Sequence, residues 1–384
     1  MRRARRARPL RAVGVALAIV GFTVSMWGVG KSGARPAQEH DGDHDHPTTT
    51  TTPGTPTTTT PPTTQPPNTG PRPSAERTTT VRYGPITMQP APLQPDGKHG
   101  HAMTGNQFMF GLQKPCSDCY ITGMIPDLVN SAGQTVGISS NVMLHHMVLT
   151  NFNDGHDDAT CQWGLPIPLG GLFGQRFFAS GDERTPLIAA PGYGYYVGNG
   201  SWNMIYDLMT MSTKVETVSF QMKFMWIPAS QAGSIKKVEP VWFDVDQCGD
   251  SEVSRPAGPS TLSWTWNVNR PGKIVGIGGH IHGGGVNVDI RNDSTGQLIC
   301  NSVAGYGETP MYIDHHGEPW LSSMSTCGGA PNPSYAVPIS SGQRITMTGH
   351  YNMEEAVNDQ MAIAIAYVAE DRPCQWWERL FGLC

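Results

Sequence analysis

From Val81 onward the chain is patterned with a period of two. Val218, Phe220, Met222, Phe224 and Trp226 alternate with Thr217, Ser219, Gln221 and Lys223. Leu262, Trp264, Trp266 and Val268 alternate with Ser263, Thr265 and Asn267; Val286, Val288 and Ile290 alternate with Asn287 and Asp289; Met361, Ile363, Ile365 and Tyr367 alternate with alanines. Successive side chains of a strand point to opposite faces, so each run predicts a strand with one apolar face. The runs are short and are separated by Gly, Pro, Asn and Asp clusters, in a chain with 45 glycines and 32 prolines. Short strands and frequent turns predict an all-β, antiparallel sandwich architecture. Roughly 300 residues of this pattern is too much for one sandwich. Two tandem jelly-roll-like sandwiches are therefore expected, over residues 81–235 and 236–370, joined near Gly233 to Pro240 and followed by a tail at 371–384.

The ends read differently. Arg2, Arg3, Arg5, Arg6, Arg8 and Arg11 precede a nearly apolar run from Ala12 to Gly30. A positive start followed by an apolar helix is an export signal or a single membrane anchor, so residues 1–34 are assigned to one of these. Ser32-Gly33-Ala34 offers a cleavage point, and a helix of this length also roughly spans a hydrocarbon core. In either case the bulk of the chain is expected outside the cytoplasm, secreted or membrane-anchored. Residues 35–80 are low in complexity: a His/Asp run, His40 to His46, then a Thr/Pro tract from Pro47 to about Pro73. Such a segment buries too little apolar surface to offset its ordering entropy, which predicts a disordered spacer of the kind often O-glycosylated.

Composition narrows the function classes. Charged residues make up 15% of the 384, the formal net charge is −5, and no basic patch lies in the main body, so nucleic acid is not an expected partner. A monomer is expected, with membrane contact only through an uncleaved N-terminal helix. No Walker loop, dinucleotide turn, kinase set or HExxH is present, and Gly192 to Tyr196 reads as a turn and strand. Eight cysteines in an exported body imply disulfides. Proximity suggests Cys300 with Cys327 and Cys374 with Cys384. Cys116 and Cys119 read as a structural disulfide ahead of a redox or metal pair.

Histidines carry the chemistry. In His280-Ile281-His282 the two imidazoles stand on one side of a strand, with Cα atoms about 6.5 Å apart, and converge on one point. Glycines 278, 279 and 283–285 keep the surroundings open. Met361 opens an apolar strand after the polar stretch Glu354 to Gln360. A thioether is a soft donor suited to Cu(I), and imidazole accepts both copper states, so His280, His282 and Met361 are candidate ligands for copper. His145-His146 lies in the apolar run Met143 to Leu149. Adjacent strand residues face opposite sides, so this pair needs a bulge or a strand end to share an ion.

The order Leu144-His145-His146-Met147, His280-Ile281-His282, then Met361 resembles the copper type II, ascorbate-dependent monooxygenases, which include peptidylglycine α-hydroxylating and dopamine β-monooxygenases. The resemblance implies two sandwiches with one copper each. One copper, held by a His-His pair and a third histidine, would relay electrons from a reductant such as ascorbate. The other, held by His-x-His and Met, would bind O2 and act on a C–H bond. The second half resembles the stress-up-regulated nodulin family more closely, through His280 to Gly284, Ile299-Cys300-Asn301-Ser302, Tyr306-Gly307-Glu308, Met324-Ser325-Thr326-Cys327 and Gln360 to Ile363. This chain departs from the first pattern at the third histidine. The one histidine between His146 and His280 is His156, too early in the chain, and the matching strand, Trp202 to Met209, offers Tyr206, Asp207 or Met209 instead.

Other histidines rank lower. His99 and His101 lie in a Gly/Lys-rich loop, and His315-His316 in a polar turn. His350 is a candidate to line the pocket behind the copper ligands. Arg176-Phe177-Phe178-Ala179-Ser180-Gly181-Asp182-Glu183-Arg184-Thr185 is an unusual motif, read as a structural ion pair of Arg184 with a carboxylate, or alternatively as a substrate contact. The expected function is an exported copper-binding protein, a monooxygenase-like oxidoreductase carrying one or two coppers and acting on a small molecule or peptide. The alternatives are a non-catalytic extracellular copper-binding or cell-surface protein on the same scaffold, or a binding module with structural histidines.

Overall fold

The computed structural model describes residues 75–93, 100–152, 158–161, 174–248 and 251–370. The segment expected to form an N-terminal helix, nearly all of the expected linker, the tail with Cys374 and Cys384, and His99 and His156 lie outside the described residues. Within them the chain is all-β; three short 3-10 turns are the helical segments, and no helix is long and apolar enough to cross a membrane. The first strand, Arg77–Met88, begins inside the range expected for the linker.

Four large sheets carry the body. The first runs Arg77–Met88, Glu216–Pro228, Cys119–Asn130, Tyr193–Val197, with Lys236–Lys237 at the edge. The second runs Ala102–Met103, Ser201–Thr210, Val142–Phe152, Gln175–Ser180. The third runs Glu239–Asp244, Ala362–Glu370, Gly272–Ile281, Thr326–Gly328, and the fourth Gly258–Asn267, Arg344–Met353, Gly285–Asn292, Gln297–Tyr306, Leu321–Met324. Pairing is antiparallel within all four except at the short edge strand Lys236–Lys237.

The period-two runs become one-faced strands with two local exceptions. Val218, Phe220, Met222 and Phe224 are each at most 2% exposed. Trp226 leaves the series because a bulge at Met225/Trp226 shifts the register, and it is half-buried. Val286 is 47% exposed where Val288 and Ile290 are fully buried, because the register also slips between Gly285 and Asn287. A single extra residue in a strand reverses which side chains face inward. Trp264 and Trp266 both pack edge-on against Phe243, so they belong to the interior as their alternation implies.

Ala362–Glu370 is the exception that organises the molecule. Its run alternates large and small apolar residues, and both faces are buried. Met361, Ile363, Ile365 and Tyr367 join a core with Phe177, Trp202, Phe220 and Phe224 of the first two sheets. Ala362, Ala364, Ala366 and Val368 join a second core with Phe243, Trp266, Ile281 and Ile290. The alanines let the fourth sheet approach closely; a Cβ on Gly349 would lie 2.5 Å from that of Ala362.

Polar and covalent ties hold the third sheet against the second. The Tyr367 hydroxyl donates to the Phe177 carbonyl (2.8 Å), and the Gln175 amide donates to Glu239 (2.9 Å). The Arg176 guanidinium lies 4.5 Å over the Trp242 ring. Cys161–Cys248 closes a link across 87 residues that proximity could not suggest, while Cys116–Cys119 and Cys300–Cys327 form as expected. Three disulfides fit an oxidising, extracellular-type environment.

Ile281 has no exposed surface and faces the second core, so Ile281→Ala should lower unfolding stability by about 2–5 kcal/mol. Val286→Ala, at the bulge, should change it by less than about 0.5 kcal/mol. Chemical denaturation of both variants measures the difference; equal losses would mean that the register is wrong.

Candidate metal centre

The two histidine pairs come from different sheets and meet. Gly272–Ile281 delivers His280 at its end, and His282 follows it. Ile281, opposite Ala362, is drawn into the second core, so the flanking imidazoles turn to the other face, toward the second sheet. The turn that follows is tight: Gly284 has φ +77°, and a Cβ there would strike Met353. On the second sheet, the register of Val142–Phe152 against Ser201–Thr210 slips between Leu144 and His146. This is the bulge that adjacent histidines need, and it brings both rings to one side.

The rings form a chain of tilted and edge-on contacts. Centroids are 5.1 Å apart for His145 and His146, 4.6 Å for His145 and His282, and 5.3 Å for His280 and His282. All four residues are at most 8% exposed. Burial and neighbouring imidazoles push the pKa of His282 far below its ordinary value, and that of His146 down to about 3. Unprotonated imidazole is the form that binds metal.

One nitrogen of each of three rings is committed. His280 Nδ1 lies 3.1 Å from Glu183 Oε1. Burial alone would raise the Glu183 pKa, but His280 and backbone donors outweigh it and hold the carboxyl below its usual range, so His280 Nδ1 is the donor. His282 Nδ1 donates to the Asp359 carbonyl, and His146 Nε2 meets Asn106 Oδ1 at 2.8 Å. The remaining nitrogens, His280 Nε2, His282 Nε2 and His146 Nδ1, are buried and have no hydrogen-bond partner. His145 Nδ1 is 3.5 Å from Asp207 Oδ2, within ion-pair range but without hydrogen-bond geometry. A buried acceptor without a partner costs about 1–3 kcal/mol, so His280 Nε2, His282 Nε2 and His146 Nδ1 together call for an occupant. Among the described residues no three His, Cys, Asp or Glu side chains are already gathered as a ligand set. The fit therefore rests on the unpaired nitrogens and not on a formed polyhedron.

Met361 comes next to these rings in the register. The register pairs His280 with Ile363 and Ile281 with Ala362, so the next position opposite His282 is Met361. Met361 is 3% exposed and joins the same core as Ile363. Imidazoles with a thioether in an apolar seam fit copper, a borderline-to-soft ion, better than a hard cation.

Of the substitute ligands, only Asp207 reaches the cluster: it stands opposite His146 in the register and accepts a hydrogen bond from Thr104 (2.8 Å). Burial works to raise its pKa, but His145 and Thr104 outweigh that and hold it low. Tyr206 instead packs edge-on against Phe220, and Met209 packs with Ile138 and Met211. His350 is a correction. It pairs with Asp289 on the partly exposed face of Arg344–Met353, because alternation sends Tyr351 inward and His350 outward. His101, His315 and His316 are exposed.

The Gly-Asp-Glu-Arg motif supplies what the histidine pattern alone misses. Arg184 makes the expected structural pair, with Asp127 (2.8 Å), and also donates to the Val136 carbonyl (2.6 Å). Glu183 positions His280. Gly181 donates its N–H to Glu183 (3.0 Å), and a Cβ there would collide with the His280 ring. Three consecutive charged residues, Asp182 to Arg184, one residue after the strand Gln175–Ser180 are the sequence signal for this buried polar corner.

The family described as Stress up-regulated Nod 19 matches residues 207–371, which hold His280, His282 and Met361. A probable copper-dependent oxygenase, M1, of Phoma sp. (strain ATCC 20986 / MF5453) is 27% identical over 289 residues, 68% of each chain. The probable copper-dependent oxygenase clz3 of Cochliobolus lunatus is 26% identical over 261 residues, 62% of this chain and 75% of its own. Among solved structures, the major capsid protein P2 of bacteriophage PM2 aligns with a TM-score of 0.29 and 9% identity over 77% of this chain and 98% of its own.

Asp182 yields a pH prediction. Burial raises its pKa to about 7, with Arg184 only partly offsetting this. A carboxyl raised in the folded state favours folding below its unfolded pKa, and that contribution is lost as pH rises through about 7. Asp182→Asn should therefore gain stability relative to the wild type as pH rises from about 4 to 8, reaching about 1–3 kcal/mol. Denaturation midpoints across this range test it, and parallel curves would refute the assignment.

Proposed function

We propose that this protein is an exported, copper-binding, monooxygenase-like oxidoreductase. His280, His282 and Met361 form the O2-reactive ligand set, and His145 and His146 hold a second copper or complete the first. The single observation that supports it most is the meeting of four buried imidazoles, three of which hold one nitrogen in a hydrogen bond and leave the other without a partner. The printed names of the two fungal relatives support the same class. In this reading the seam lies between two jelly-roll-like sandwiches of a monomer, and the N-terminal helix exports or anchors them.

Bound copper supplies one-electron redox and O2 chemistry. The overall reaction would place one oxygen atom of O2 into a substrate C–H bond and release the other as water, with two electrons from an external reductant such as ascorbate. The protein's own residues set the conditions. Glu183 and the Asp359 carbonyl fix the Nδ1–H tautomers of His280 and His282, which leaves both Nε2 lone pairs free. Asp207 adds negative charge beside His145. The apolar seam excludes water from the reacting groups.

A second reading is a non-catalytic copper-binding protein on the same scaffold, favoured by the aspartate, Asp207, that stands opposite His146. Full-length protein loaded with Cu(II) should bind at least about half an equivalent and show nitrogen hyperfine structure by EPR. His280→Ala should weaken binding sharply, and Glu183→Gln about 10–100-fold. Unchanged loading in His280→Ala would reject the metal centre. Tight copper without ascorbate- and O2-dependent turnover across a broad panel would favour the second reading.

A further inference from the structure

A half-open pocket borders His280, walled by Phe178, Leu187, Ile363 and Ile365, with Gly278 in its lining. A larger open hollow adjoins it, sharing Thr185, Pro186, Leu187 and Thr326. The Cys300–Cys327 disulfide anchors the wall strand Thr326–Gly328 to the fourth sheet's strand Gln297–Tyr306.

Two features mark this as a ligand site and not a packing fault. First, Gly276 and Gly278 share a face with His280, opposite Tyr367 and Ile365. Neither has the positive φ that demands glycine, and an added Cβ would have its nearest neighbour at 3.7 Å and 3.4 Å. Backbone conformation does not require glycine here; the missing side chains keep a track clear to His280. Second, Glu183 is 5% exposed, lines the inner end, and its Oε2 has no partner. Thr185 Oγ1, in the same wall, is also buried without a partner.

We infer that this pocket binds the substrate: a slender apolar molecule bearing one hydrogen-bond donor, which the unpaired Glu183 Oε2 accepts beside His280. Its role as a substrate site rests on the copper reading above, whereas the pocket's capacity to bind such a molecule does not. A buried carboxylate oxygen left unpaired is costly, so a ligand with a hydroxyl is favoured over one of the same shape without it.

Titration of the full chain with hexan-1-ol, and with methyl pentyl ether as a donor-free match, tests this, with methyl NMR of isoleucine as the readout. Hexan-1-ol should shift Ile363 and Ile365 and bind at least tenfold more tightly than the ether. Gly278→Leu, which fills the track, should weaken hexan-1-ol at least tenfold and leave copper affinity within about threefold. Gly278→Ala serves as the mild variant should the leucine disturb folding, and should weaken hexan-1-ol measurably. Equal affinity for alcohol and ether, no binding of hexan-1-ol, or binding indifferent to both Gly278 variants would overturn the proposal. Hexan-1-ol binding by a chain that takes up no copper would sustain the pocket and reject the metal reading alone.

Discussion

Burial of Ala362–Glu370 on both faces is the constraint from which the rest follows. Large side chains on one face fill the core with Phe177 and Trp202, and alanines on the other allow the fourth sheet to close in. A strand so enclosed cannot slip by one residue without exchanging large for small on both sides at once. Its register fixes Gly272–Ile281 beside it, because Ile281 has to face the second core with Ala362. His280, His282 and Met361 are then left on the opposite face, looking at the second sheet. The direction of these three side chains is thus set by apolar packing.

Polar contacts refine what packing sets. Each outer nitrogen of His280, His282 and His146 meets an acceptor that a backbone or a neighbouring loop supplies. A ring held this way cannot satisfy its inner nitrogen by flipping, since the flip would unpair the outer one. Burial and mutual repulsion keep His146 and His282 neutral. The arrangement therefore stores unmet acceptor capacity at one point, which is the property a cation site requires.

Much of this was legible in the chain because its signals are local. The i, i+2 spacing of His280 and His282, the bulge demanded by adjacent histidines, and Met361 at the head of an apolar strand depend only on strand geometry, and the pairing of Cys300 with Cys327 needs only short separation. The illegible parts are long-range or turn on one residue. Bulges at Met225 and Val286 reverse the facing of their neighbours without any composition signal. His350 has the right residue type but the wrong parity. Glu183 reaches His280 across 97 residues, and Cys161 reaches Cys248 across 87, through sheet packing that no window of sequence contains.

The meeting of the histidine pairs bears on the departure from the two-copper pattern. In that pattern each ligand set closes on its own sandwich, so a lost third histidine should disable one centre. Here His145 lies nearer to His282, across the seam, than to His146 on its own strand, by 4.6 against 5.1 Å. The two pairs therefore meet as one cluster, and the Asp207 carboxylate stands beside it, 3.5 Å from His145 Nδ1.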